Sequence, residues 1–274
     1  MPPSSPDQAP GIWSAIATAY EQTFEHLSSQ FAADALALLA LRPGERVIDI
    51  AAGAGAFSLA AARTGARVLA TDFAPGMVAR LRERAAADRL SNIEAEVMDG
   101  QALSVPDASF DVGVSVLGLI FFPDISKGLS ELRRVLRPGG RAAVVCWGDV
   151  RRLELVTLAL SAVRDAAPGF ALPAGPPPWA RMAGGDIVRG RLEAAGFSDV
   201  EVTTVVRSLA IGSPTIFWET FASAAPPLAA WRDTLGPDRM AAVGRAYVAR
   251  LEAMAAGGEA AISAEACIGI GRKA

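Results

Sequence analysis

One histidine, two cysteines and no dense run of lysine or arginine are all that 274 residues offer to metal, redox and nucleic-acid chemistry. His26 stands alone, and no His, Asp or Glu group has metal-ligand spacing, so no metal is expected. Cys146 and Cys267 lie far apart in strand-like segments. They give no disulfide framework and no CxxC site, which makes a reducing cytoplasm the default, and Cys146 reads as a buried strand residue rather than a nucleophile. No Ser/His/Asp arrangement stands out. The 26 basic residues are scattered among 29 acidic ones, for a net charge of −3. Nucleic acid and anionic membrane surfaces need a concentrated basic face, so neither is an expected partner. Long apolar runs are missing too. The most apolar stretch, 112–122, is broken by Gly113, Ser115 and Gly118 and is too short for membrane insertion. The start, MPPSSPDQAP, lacks the basic and apolar regions of a secretory signal and reads as a disordered leader over 1–10.

Apolar residues are plentiful, at 51%, enough to fill a sizeable core. From Arg46 to Trp147 short β-branched runs (47–50, 67–71, 93–97, 110–116, 141–147) alternate with helix-like stretches (57–63, 75–87, 125–136). That alternation predicts an α/β fold, a parallel sheet with right-handed crossovers and helices on both faces. Ahead of it, 12–39 reads as helical, with Trp13, Ala17, Tyr20 and Phe24 on one face. Beyond it come a helix at 153–166, a Pro/Gly-rich linker at 168–178, a helix at 186–195, a strand at 200–206, a helical insert opening at Ser213-Pro214 and a last strand at 261–270. The insert breaks at Pro226-Pro227 and Gly236-Pro237. The expected plan is N-terminal lid helices over 11–44, a ligand-binding core over 45–150, a cap segment over 151–183, a core helix and strand over 184–210, a helical cap insert over 211–258 and a final strand over 259–274. The sheet then has seven strands, mostly parallel, with the last antiparallel.

The chemistry concentrates after the first strand, in Asp49-Ile50-Ala51-Ala52-Gly53-Ala54-Gly55-Ala56-Phe57. Small residues let the backbone turn sharply and approach a ligand, and the helix beyond presents free N–H groups. Gly53–Ser58 nearly matches the dinucleotide fingerprint GxGxxG, a weak signal that a purely structural turn also satisfies. Three carboxylates at strand ends narrow the choice. Asp72, nineteen residues after Gly53, can accept both hydroxyls of a ribose. Asp99-Gly100 can accept from an adenine amino group and leave room for the ring. Asp49, inside the first strand, needs a partner such as the ammonium of an amino-acid ligand, often reached through water.

The segments VIDIAAGAGAF (47–57), ATDFAPGM (70–77), VPDASFD (105–111) and ELRRVLRPGG (131–140) resemble motifs of class I S-adenosylmethionine (AdoMet)-dependent methyltransferases. They are similar to the ubiquinone/menaquinone-type and small-molecule branches, and the resemblance covers 13–147. Ala51-Ala52 stands where that family commonly has Gly-Cys, which adds strain if φ is positive at Ala51. The resemblance implies a Rossmann-like fold with an N-terminal lid helix and an inserted helical cap. It also implies AdoMet as cofactor, S-adenosylhomocysteine as product, no metal, and a small-molecule methyl acceptor. By the same resemblance Ala51, Gly53 and Gly55 face the methionine part, Phe73 and Met77 pack beside the ribose held by Asp72, and Asp99, Gly100 and Gln101 border the adenine. Val116 and Leu117 lie beneath the cofactor, and Tyr20 contacts its methionine end or belongs to the core.

Methyl transfer asks mainly for positioning and exclusion of water, with a base only where the acceptor must lose a proton. His26 is the first candidate base, against a surface or packing role; Tyr20, Asp124 and Glu219 are weaker ones. Large apolar residues beyond the core, with Phe121-Phe122 after the fourth strand, point to an apolar acceptor pocket that includes Phe121, Phe122, Trp179 and Trp218. The expected function is methyl transfer to O, N or activated C of a small, largely apolar molecule. The rivals are a nicotinamide-dependent oxidoreductase and a non-catalytic protein that binds AdoMet on the same fold.

Overall fold

The computed structural model describes residues 8–170, 177–255 and 260–274. Five β-branched runs pair in parallel where the alternation places them: β1 (Arg46–Ile50), β2 (Arg67–Asp72), β3 (Ile93–Val97), β4 (Phe110–Val116) and β5 (Leu136–Trp147). Val47, Ile48 and Ile50 of β1 and Val112 and Val114 of β4 are wholly buried, as strands covered on both faces require. The crossovers are α3 (Ala56–Arg63), α4 (Pro75–Ala87) and α5 (Ile125–Val135).

Two longer strands complete the sheet, β6 (Phe197–Ile211) and β7 (Ala260–Lys273), in the order β3-β2-β1-β4-β5-β7-β6. β7 runs antiparallel to both β5 and β6. The chain thus winds outward from β1 and then returns to lay β4 on its other side. That reversal opens a crevice beyond the carboxyl ends of β1 and β4, where sheets of this kind take ligands.

β6 and β7 exceed the predicted 200–206 and 261–270 because they pair with each other from Phe197↔Lys273 to Ile211↔Ala260. The ladder carries Arg207 and Ser208, which are not among the β-branched and aromatic residues that favour strands. β5 also begins before the predicted 141. Phe110 pairs with Leu136 and Val112 with Arg141, so Arg137-Pro138-Gly139-Gly140 loops out as a bulge instead of separating helix from strand. Pro138 has no N–H to lose there, and Gly139 takes a φ of 76°.

On one face of the sheet Leu132 of α5 meets Gly113, and Val188 and Leu192 of α7 (Gly185–Ala194) meet Gly269. On the other, Phe31 of α2 (Glu25–Leu39) stands edge-on to Trp147. The stretch read as helical over 12–39 is two helices, since α1 (Pro10–Thr23) stops at Phe24. The two pack in different directions. α1 crosses the first turn of α4, where the Gly76 N–H donates to Ser14 Oγ at 3.1 Å, while α2 runs along α3 and β5. Of the leader predicted over 1–10, residues 1–7 lie outside the described residues, while Gln8 is buried and α1 begins at Pro10.

α6 (Glu154–Ala166), α8 (Pro214–Ala224), α9 (Pro226–Leu235) and α10 (Pro237–Ala255) follow their sequence signals closely. Ser213 caps α8 by accepting from the Ile216 N–H, and prolines open α8, α9 and α10. α10 packs on α6 through Tyr247, which is fully buried. Of the predicted linker, 171–176 lie outside the described residues. Among the described residues no helix is long and apolar enough to cross a membrane.

Candidate active site

The turn after β1 is the floor of a cavity of about 930 Å³, counting its open mouth. Ala51 takes φ 58° and Gly53 φ 57°, so the chain reverses within three residues. Ala51 therefore holds a left-handed conformation that glycine adopts freely and alanine adopts at a cost of about 1–2 kcal/mol. The chain is also pressed from the opposite strand end: a Cβ at Gly118 would stand 2.5 Å from the Ala51 Cβ.

Asp72 closes this turn. Its two carboxylate oxygens accept from the Gly53 N–H and the Ala74 N–H, each at 2.9 Å, so β2 and the turn are bound together. Burial pushes the carboxyl up to about 6 against the pull of those N–H bonds. Asp49 is buried deeper. Ser58 Oγ donates to its Oδ2 at 2.6 Å, and its Oδ1 has no hydrogen-bond partner. Burial, and then the nearby Asp72 charge, push this carboxyl up to about 7 even though Ser58 pulls it down. Asp99 is exposed at the mouth, where its Oδ1 accepts from the Gln101 backbone N–H at 2.8 Å. Beside it Gly100 admits no side chain, because a Cβ would meet Phe122 Cζ at 2.4 Å and Ile50 Cγ2 at 2.7 Å.

The lid helices form the opposite wall. Trp13 meets Phe121 at 5.0 Å between ring centroids and Tyr20 at 5.7 Å, and Tyr20 stacks on Phe24 at 5.4 Å. Enclosure among these rings, with the Glu25 and Asp72 charges, pushes the Tyr20 phenol above its usual range. Glu25, the first residue of α2, is buried and pairs through Oε1 with Arg84 of α4, while its Oε2 has no hydrogen-bond partner. Burial raises its carboxyl and Arg84 lowers it, with a net rise. Arg84 also donates to the Ala54 carbonyl at 2.8 Å. One helical turn away, Arg80 and Glu21 pair at 2.5 Å. Two carboxylates four residues apart thus face two guanidinium groups four residues apart, clamping the lid to α4 and to the turn after β1.

The cavity brings together Tyr20, Asp49, Ala51, Gly53, Asp72, Phe73, Met77, Asp99, Gly100, Gln101, Val116, Leu117, Phe121 and Phe122. Gly55 is not on its wall. It precedes α3 at φ 99° and packs against the helix behind, where a Cβ would stand 2.9 Å from Leu81 Cγ. Nor do the predicted pocket residues Trp179 and Trp218 reach it. Trp218 lies tilted against Tyr247 at 4.9 Å between centroids beside Gly244, in the α8–α10 packing, and Trp179 packs against the main core. The candidate base His26 is exposed and is not among the residues that line the cavity. Glu219 is exposed on α8, and Asp124 accepts from the Lys127 N–H as the cap of α5. Gln8, Glu25, Ser28 and Met98 line the cavity without having been singled out. For Glu25 a signal existed, since the Glu21/Glu25 spacing matches Arg80/Arg84. Among the described residues no group of three His, Cys, Asp or Glu side chains is placed to hold a metal.

Residues 48–144 match the family described as a methyltransferase domain. A curated but uncharacterized protein of Mycobacterium tuberculosis is 42% identical over 112 residues, 41% of this chain and 40% of that protein. The demethylmenaquinone methyltransferase of Clavibacter sepedonicus is 38% identical over 156 residues, 55% of this chain and 62% of that enzyme. The chain therefore spans about two fifths to three fifths of these relatives. The YcgJ protein of Bacillus subtilis shares the fold, with a TM-score of 0.58 over 90% of this chain and 98% of that one at 19% identity.

Proposed function

We propose that this chain, whose residues 48–144 match a methyltransferase domain, is of the class I AdoMet-dependent kind and moves a methyl group from AdoMet to a small, largely apolar acceptor. The accepting atom is O, N or an activated carbon. The observation that carries the reading is the register of Asp49, Asp72 and Asp99 around one cavity at the switch point between β1 and β4.

The residues fit the cofactor. The unpartnered Oδ1 of Asp49 calls for a donor, which the ammonium of AdoMet provides. Asp72, fixed in place by two backbone N–H groups, has lone pairs left for the ribose hydroxyls. Gly100 and Gln101 line the cavity beside Asp99, the place this reading gives to adenine. AdoMet supplies a methyl carbon on a sulfonium, already a good leaving group. What this chain adds is placement and dryness: Trp13, Tyr20 and Phe121 wall the methionine end and exclude water. With its raised phenol, Tyr20 is a hydrogen-bond donor at neutral pH and not a base.

Incubation with methyl-labelled AdoMet and a panel of small phenols, amines and enols tests the reading. Label is expected in at least one class. Tight AdoMet binding with no transfer across the whole panel would leave the non-catalytic binding protein in its place.

A further inference from the structure

We propose that the lid end of the cavity is an amine site, in which Glu25 holds the amino or ammonium group of the acceptor beside the rings of Trp13, Tyr20 and Phe121. This rests on the AdoMet reading of the same cavity. The walls carry four carboxylates, Glu25, Asp49, Asp72 and Asp99, and among the described residues no Lys, Arg or His. Arg84 offsets the Glu25 charge from behind the wall, but an acceptor bearing a carboxylate or phosphate would find no cation on the wall itself to pair with. AdoMet brings one net positive charge, which Asp49 faces from the sheet. Asp72 is assigned to the ribose and Asp99 is exposed at the mouth. Glu25 is the buried carboxylate left over.

Its geometry makes it a receiver. The side chain is 6% exposed; Arg84 holds Oε1, and Oε2 is buried without a hydrogen-bond partner. A carboxylate oxygen in that position is completed by an N–H or O–H donor on a ligand. The surroundings favour a cationic donor over a hydroxyl. Three aromatic rings with neighbouring centroids 5.0 and 5.7 Å apart offer π-electrons to a positive charge, and a buried carboxylate does the same more strongly. Arg84 also grips the Ala54 carbonyl at 2.8 Å. The acceptor's anchor and the cofactor's turn therefore hang on one guanidinium, which sets the distance between the two bound molecules.

Calorimetric titration of the protein saturated with S-adenosylhomocysteine tests the site, with benzylammonium and benzyl alcohol as probes of equal size and different charge. Benzylammonium is expected to bind at least about ten-fold tighter than the alcohol. Glu25→Gln is expected to erase that preference while S-adenosylhomocysteine still binds within about three-fold of wild type. Equal binding of the two probes to wild-type protein overturns the proposal, and this comparison needs no variant, so it decides the matter even if Glu25→Gln does not fold. A preference that survives Glu25→Gln also overturns it, as does a folded Glu25→Gln protein that has lost S-adenosylhomocysteine, because Glu25 then serves the cofactor. Wild-type protein that takes up no S-adenosylhomocysteine refutes the AdoMet reading itself, and this proposal with it. Uptake without amine preference refutes this proposal alone.

Discussion

Asp49 and Asp72 are only a few residues from solvent along the chain, yet both are buried and both resist ionisation. A carboxyl whose folded value lies above its ordinary 3.8 favours the protonated fold. Its stabilising contribution is complete below about pH 4 and is lost as the pH rises through about 6 for Asp72 and about 7 for Asp49. Melting curves of the ligand-free protein should therefore show stability falling between about pH 4 and 7, a fall that Asp49→Asn makes shallower; an unchanged slope would contradict the burial account. Asp72→Ala should weaken AdoMet binding by about 2–3 kcal/mol, the scale of a lost pair of charge-assisted hydrogen bonds. A folded variant with wild-type affinity would remove the ribose assignment. Both aspartates were legible in the sequence because strand ends and a small-residue turn fix them locally. The place of His26 was not legible, because a lone titratable residue carries no information on helical phase, and in α2 that side chain is exposed and off the cavity wall.

Between residues and fold lies the lid. α1 approaches α4 so closely that a Cβ on Gly76 would stand 2.7 Å from both Ser14 Cα and Ser14 O, which are backbone and cannot swing aside. Gly76→Ala should cost about 1–3 kcal/mol, the scale of overpacking, and should loosen the lid selectively. Hydrogen exchange read by mass spectrometry is expected to speed up in α1 and to stay unchanged in α3; uniform acceleration would mean that the lid and core unfold together. The stretch read as helical over 12–39 is two helices, and their boundary was not legible because apolar periodicity is continuous through Phe24 and carries no trace of where each half will dock. The pairing of Glu21 and Glu25 with Arg80 and Arg84 decides that direction, and it joins residues 59 apart in sequence. Trp179 and Trp218 were drawn into the pocket for the same reason. Composition marks them as apolar, and only packing shows that Trp218 is half-buried against Tyr247 and not at the cavity.

Across the whole molecule the sheet depends on its last strand. β7 lies between β5 and β6, and Ala264, Ala266, Ile268 and Cys267 are at or near complete burial. A chain ending at residue 259 would leave β5 and β6 with bare edges and the core open on one side. It should show no cooperative unfolding transition by circular dichroism, whereas a sharp transition would place the folding unit in the first five strands alone. The strand count and the antiparallel end were readable from alternation, but the lengths of β6 and β7 were not, since each is extended by its partner and not by its own residues. The central claim is that the cavity between β1 and β4 is built for AdoMet, and the nicotinamide rival uses the same glycine turn. The most direct test is the melting temperature of the wild-type protein titrated with AdoMet and, separately, with NADH. The account predicts a saturable rise with AdoMet that follows its binding curve, and none with NADH; a rise with NADH and none with AdoMet would contradict it.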